Sequence, residues 1–189
     1  MSEQANRCPF GSFRFYCLYS WLVSMDNPKA EVREHSTFGR GVFAAESILA
    51  GEAIAMFDGE FYEEGDPDYP WEVDDYVLQF AEDRWRDSKG IARVLNHSCQ
   101  PNIGIRNAFR LIAMRDIAPD EELCYDYAMA EDGQWQLDCQ CGSPNCRGRM
   151  AGFAALPESV RESYQGFISH WLVEKYQLDS TWSGGPVDI

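Results

Sequence analysis

Apolar residues come in short, separated runs along most of this chain. The runs 41-GVFAA-45, 53-AIAMF-57, 76-YVLQF-80 and 109-FRLIAM-114 are set off by Gly, Asp and Pro punctuation. None reaches the roughly 10–12 residues that favour a helix by length, and the punctuating residues are those that turn a chain. The pattern predicts a mainly β domain built from several small sheets. The segment 122-ELCYDY-127 alternates in the same strand-like way. The C-terminal end reads differently. Within 156–176, Val160, Tyr164, Phe167, Ile168, Trp171 and Leu172 recur at the spacing of one helical face, which predicts one amphipathic helix packed on the domain. Pro157 suits its first turn, and Glu158 suits its positive end. There is no internal repeat and no low-complexity tract.

Residues 8–23 are apolar apart from Arg14 and a few small polar residues. The run is too short for a comfortable membrane span, which needs about 20 residues. Glu3 and Arg7 precede it and no A-x-A-like site follows, unlike a signal peptide. Residues 1–24 are read as an extension before a domain that begins near Met25. A docked β-like segment and a membrane-associated role are the alternatives.

Composition changes the picture in two ways. Hydrophobic residues are 45% of the 189 and aromatics 14%, as in a globular chain with a real core. The net charge of −15 argues against direct nucleic-acid binding, which needs clustered Lys and Arg, and favours a basic partner. The acids concentrate in 58–87, where twelve Asp and Glu stand against Arg84 and Arg86. That stretch is either a solvated insert or an acidic rim facing a cationic substrate.

The seven cysteines are Cys8, Cys17, Cys99, Cys124, Cys139, Cys141 and Cys146. An odd number with three in eight residues reads better as a metal site in a reducing compartment than as a disulfide framework. In 139-CQCGSPNCRG-148 the spacing is C-x-C-x4-C, and Gly142, Ser143 and Pro144 turn the third thiol back toward the first two. A structural zinc site closes with four ligands, so one more comes from Cys99, Cys124, Cys8, Cys17 or a histidine. The stretch 95-LNHSCQPN-102 admits several chemistries: a His97–Cys99 nucleophile pair, a metal ligand, or a glycosylation acceptor at Asn96-His97-Ser98. No Asn or Asp that would orient a catalytic histidine is evident.

Taken in order, 38-FGRGVFA-44, 95-LNHSCQPN-102, 121-EELCYDY-127 and 139-CQCGSPNCRG-148 resemble the SET-domain protein lysine methyltransferases with their cysteine-rich post-SET segment. The resemblance spans roughly residues 30–150 and is strongest for the ordered set. It implies a SET (β-clip) fold in which the Asn96 and Tyr127 segments cross as a pseudoknot. It divides the chain into an extension (1–24), a SET domain (25–130), a post-SET zinc segment (131–150), and a C-terminal helix and tail (151–189). The closing helix is similar to the end of compact stand-alone bacterial members. That implies a cytoplasmic monomer, with a nuclear or chromosomal setting if the source is eukaryotic.

The same resemblance implies methyl transfer from S-adenosylmethionine to the ε-amine of lysine in a basic protein such as a histone. Gly39, Arg40, Gly41, Tyr76, Asn96 and His97 match cofactor-contacting positions. Tyr127 matches the catalytic tyrosine. Cys99 matches the cysteine that joins Cys139, Cys141 and Cys146 around one zinc. Tyr125, two residues before Tyr127, matches a position where tyrosine accompanies low methylation states, which implies monomethylation to dimethylation. Two departures stand out. Phe57 replaces a common tyrosine before x-G, and 81–94 lacks the usual I-D-A before its glycine.

The chemistry asks for little covalent help. Lysine, with a pKa of about 10.4, must first lose a proton, which an apolar channel and a neighbouring sulfonium both favour. The protein then aligns amine, methyl and sulfur. A non-catalytic SET-like module that holds basic tails is the runner-up, and a zinc-stabilised structural domain is the third reading.

Overall fold

The computed structural model describes residues 26–69 and 76–184. The expected extension, Cys8 and Cys17, and three of the acids (Glu72, Asp74 and Asp75) lie outside the described residues. Among the described residues, twelve short strands fall into four small sheets, in line with the mainly β expectation. β1 (Ala30–His35), β2 (Gly39–Ala44), β10 (Glu122–Tyr125) and β7 (Asn96–His97) lie in that order in the first sheet. β3 (Ala53–Met56), β9 (Arg110–Ala113) and β8 (Ile103–Arg106) form the second. β4 (Glu60–Glu63), β6 (Arg84–Asp87) and β5 (Val77–Ala81) form the third, with β5 at an edge. β11 (Gln136–Asp138) and β12 (Arg149–Ala151) pair alone.

Alternation explains the core. β2 buries Val42 and Ala44, β10 buries Leu123 and Tyr125, and Val42 stands opposite Leu123. Ile54, Ile103, Ile105 and Leu111 of the second sheet join Ile48 and Ile117 in the same hydrophobic cluster. The pairing that matters most for a site is β7 with β10. It is parallel, with Asn96 beside Cys124 and His97 beside Tyr125. Parallel partners need a long connection, so this contact joins two motifs distant in sequence.

The single C-terminal helix does not form. Two one-and-a-half-turn helices, α1 (Glu158–Ser163) and α2 (His170–Lys175), flank a break over 164–169. Tertiary hydrogen bonds pull the break open. Gly166 and Ile168 donate to the Trp182 carbonyl at 3.0 and 3.1 Å, and the Phe167 carbonyl accepts from Ile105 of β8 at 3.1 Å. Gly166 takes φ +88°, outside the helical region. Gly104 has no side chain to obstruct the approach: a Cβ there would stand 2.5 Å from the Cβ of Phe167. The apolar periodicity still names core residues, because Tyr164, Ile168, Trp171 and Leu172 are all buried. Among the described residues, no helix is long and apolar enough to cross a membrane.

Candidate active site and thiol cluster

Tyr127 begins a 3-10 turn, Tyr127–Met129, directly after β10. Asp126 caps that turn by accepting from the Ala128 amide at 3.2 Å. The Tyr127 hydroxyl donates to the Leu95 carbonyl at 3.3 Å. Its ring packs 5.0 Å from Tyr125 and 5.2 Å from His97, centroid to centroid. Tyr125 in turn meets Phe57 edge-on at 5.9 Å. Burial raises the Tyr125 pKa well above the ordinary phenol value, so its hydroxyl stays protonated.

Three cavities meet at Tyr127. One of about 360 Å³ is mostly apolar, walled by Phe57, Trp85, Tyr125, Trp135 and Leu137 with Glu131 at its side. A second, about 230 Å³, is walled by Phe38, Gly39, Arg40, Tyr76 and Asn96. A third, about 220 Å³, is walled by Asn96, His97, Gln140, Cys141 and Met150. Tyr127 lines all three.

The sequence-derived candidates therefore gather in one place. Gly39, Arg40, Tyr76, Asn96 and His97 line the second and third cavities. Gly41 sits one step behind. A Cβ there would stand 2.5 Å from Glu122 Oε1 and 3.0 Å from Asn96 Nδ2, so glycine permits a close approach. The Asn96 amide donates to the Arg40 carbonyl at 2.9 Å and to Glu122 Oε1 at 2.8 Å. Tyr76 carries Arg93 over its ring at 4.8 Å.

Sequence reasoning missed Trp85, Arg93, Glu131 and Trp135 as wall residues. The only local signal was their density of aromatic and charged side chains, which a solvated surface also shows. Glu131 accepts from the Gln79 amide on edge strand β5 at 2.8 Å. The acidic 58–87 stretch also divides. Asp58 accepts from Ser88 Oγ and the Lys89 amide, and Asp87 pairs with Arg93, so both are internal ties. Glu60, Glu63, Glu64, Glu82 and Asp83 remain exposed.

The cysteines converge too. His97, Cys99, Cys139 and Cys141 each offer a donor atom, and all four atoms lie within 4.8 Å of one another. Cys99 Sγ and Cys139 Sγ stand 3.7 Å apart. Sulfurs bound to one zinc at about 2.3 Å and tetrahedral angles stand about 3.8 Å apart, so the spacing fits that ion. None of the described cysteines is in a disulfide.

Cys146 lies outside the tightest set. Its sulfur is 4.0 Å from the Cys139 carbonyl, and it accepts from the Gly148 amide at 3.4 Å. Burial pushes the Cys99 and Cys139 thiols up. Burial opposes ionisation of Cys141 as well, but hydrogen bonds from backbone and from Ser143 outweigh it and bring this thiol down to about 6. A cluster with one easy thiolate and two reluctant neighbours suits a cation that displaces the remaining protons. His97 Nε2 faces Cys99 Sγ at 3.4 Å, and its Nδ1 accepts from the Tyr127 amide at 3.4 Å. Burial holds its pKa at about 4, so the ring is neutral at pH 7.

Comparison with known proteins agrees with this geometry. Residues 39–128 match the SET domain family. The histone-lysine N-methyltransferase, H3 lysine-4 specific, of Saccharomyces cerevisiae is 34% identical over 131 residues, which cover 57% of this chain and 12% of that protein. The rice (Oryza sativa subsp. japonica) histone-lysine N-methyltransferase TRX1 is 33% identical over 166 residues, covering 75% of this chain and 16% of that protein. The probable histone-lysine N-methyltransferase set-23 of Caenorhabditis elegans is 36% identical over 134 residues, covering 58% of this chain and 54% of that protein. This chain thus spans from about an eighth to about half of these relatives' lengths. All three are eukaryotic, which does not support the preference for a bacterial cytoplasmic source.

Among solved structures, Arabidopsis thaliana SUVH6 in complex with SAM aligns with a TM-score of 0.56 at 26% identity, covering 67% of this chain and 34% of that one. KRYPTONITE in complex with mCHH DNA, H3(1-15) peptide and SAH aligns with a TM-score of 0.53 at 29% identity, covering 64% and 29%. The DNA in that complex means that the charge argument against nucleic acid rests on this chain's composition alone. Fold, ordered motifs and relatives converge: the chain is a SET-domain protein related to the histone-lysine methyltransferases.

Proposed function

We propose that this chain transfers a methyl group from S-adenosylmethionine to the ε-amine of a lysine in a basic protein tail, most simply a histone. The observation that carries the proposal is the position of Tyr127, which lines the aromatic cavity and both cavities beside the G-x-G and N-H segments. Lysine enters through the apolar cavity between β5 and β11, whose walls disfavour an ammonium. The two cavities on the Asn96 side would hold the cofactor, which when bound would supply the electrophilic methyl. Gly39, Arg40, Tyr76 and Asn96 wall this space, and His97 offers its backbone, since its ring is committed to Cys99 and Tyr127. Tyr127 orients the amine through its hydroxyl. Tyr125 keeps a protonated hydroxyl in the lysine cavity and limits the room for added methyls, so monomethyl-lysine is the main product.

The zinc ligands in this reading are Cys99, Cys139, Cys141 and Cys146. His97 is not a ligand in this reading: its Nε2 stands 3.4 Å from Cys99 Sγ, and its Nδ1 meets the Tyr127 amide at 3.4 Å and Asp126 Oδ1 at 3.5 Å. The eukaryotic relatives favour a nuclear setting.

Incubation with labelled S-adenosylmethionine and histone H3, read by mass spectrometry, tests the proposal. Monomethyl-lysine is expected. Absence of both label and cofactor binding in calorimetry sinks it. Binding of basic tails with no cofactor binding supports the non-catalytic module instead.

A second outcome concerns Gly41→Ala. The new methyl meets Glu122 Oε1 at 2.5 Å, behind the turn that walls the cofactor cavity. Overpacking of this kind costs about 1–3 kcal/mol, so a lower melting temperature and roughly tenfold weaker cofactor binding are expected. Unchanged affinity in calorimetry removes Gly41 from the role.

A further inference from the structure

Asp126 is the central residue of the Y-D-Y segment, and only 1% of it is exposed. A carboxylate so deeply buried needs partners. Besides the His97 ring, whose Nδ1 stands 3.5 Å from Oδ1, three come from three parts of the chain. Arg147, in the cysteine loop, places Nη2 2.7 Å from Asp126 Oδ2. Tyr164, at the end of α1, donates its hydroxyl to the same oxygen at 2.8 Å. The Ala128 amide donates to Oδ1 at 3.2 Å, and this bond caps the turn that begins at Tyr127. Arg147 is also joined to the thiol cluster through its backbone, whose amide donates to Cys99 Sγ at 3.4 Å.

We propose that Arg147 is a positioning residue, which ties the cysteine loop to the turn carrying Tyr127 by neutralising buried Asp126. The inference rests on the assignment of Tyr127 as the group that meets the lysine amine. The thiol loop does more than wall the cofactor cavity in this arrangement. When the loop is folded, its guanidinium compensates Asp126, and the carboxylate stays in the orientation that caps Tyr127–Met129. When the loop is displaced, Asp126 is left as a buried charge facing Tyr164, the Ala128 amide and the His97 ring, which is neutral at pH 7, and it turns toward water. The cap is then lost and Tyr127 loses its fixed direction. Folding of the loop and readiness of the tyrosine are thereby one event.

The test is amide hydrogen exchange on the full zinc-loaded chain, which needs no enzymatic activity. Arg147→Met removes the cation while leaving every thiol. Exchange at residues 127–129 is expected to rise at least tenfold, with β8 and β9 unchanged and zinc content as in the wild type. Arg147→Lys keeps a cation and should stay within threefold of wild type. Asp126→Asn combined with Arg147→Met removes both charges and should restore much of the protection, because the neutral amide still offers Oδ1 to Ala128. In turnover, Arg147→Met should lower kcat more than it raises KM for the cofactor. Unchanged exchange at 127–129 in Arg147→Met overturns the proposal. So does equal exchange in the Lys and Met variants, or a double variant no better protected than Arg147→Met. An inactive wild type that still shows this exchange pattern would instead remove the methyltransferase reading and leave the tie intact.

Discussion

Tyr127→Phe is expected to lower methyl transfer about 10²–10³-fold, the range seen when one preorganised hydrogen-bond donor is removed from an active site. The ring stays in place. It is held by Tyr125 at 5.0 Å and His97 at 5.2 Å, and the hydroxyl gives up its 3.3 Å contact with the Leu95 carbonyl. A single hydrogen bond of this kind contributes about 0.5–1.5 kcal/mol, so the melting temperature should fall by only a few degrees. Cofactor affinity should stay near wild type, since the phenyl ring still lines the same cavities. Steady-state methylation beside calorimetry separates the two quantities. Turnover within fivefold of wild type would remove the hydroxyl from the mechanism.

Cys99→Ser should weaken two properties at once. Cys99 belongs to the thiol cluster and sits two residues from His97 in the N-H segment. Even changes outside a metal's ligands cost about 10–100-fold in affinity, so loss of a ligand should exceed that range. The loop also walls the third cavity, through Asp138, Gln140, Cys141 and Met150. Each side chain that must be ordered anew on binding costs about 0.5–1.5 kcal/mol, so four of them weaken cofactor binding roughly 30-fold or more. Zinc content by elemental analysis and cofactor affinity by calorimetry should fall together. Zinc lost with cofactor affinity intact, or the reverse, would break the link.

The sign with pH follows from the thiols. Cys99 and Cys139 are held up by burial and must give up protons to bind a metal. Zinc should therefore be released as pH falls, and competition with a chelator at a series of pH values measures it.

Much of this site is legible in the order of residues. The runs at 41–45, 53–57, 76–80 and 109–114 correspond to β2, β3, β5 and β9. Short strands with charged or polar faces were not legible. Arg84–Asp87 and Gln136–Asp138 carry little apolar alternation, and their pairing comes from partners distant in sequence. The C-terminal helix failed for a related reason. Its apolar period does mark buried residues, but hydrogen bonds to Ile105 and Trp182 compete with the helix at 164–169 and win.

By itself, the order of residues determined which chemistry the chain carries. Glycines that admit close backbone approach, a tyrosine after a strand, and thiols at metal-binding spacing are local properties of residue type and separation. Tertiary structure alone decided how these pieces face one another. It set β7 beside β10, placed Tyr127 at the junction of three cavities, and brought Arg147 and Tyr164 onto Asp126. The physical reason is that a buried carboxylate must find its cation wherever folding delivers one. Arg147 lies 21 residues from Asp126 in the sequence, and no periodicity connects them.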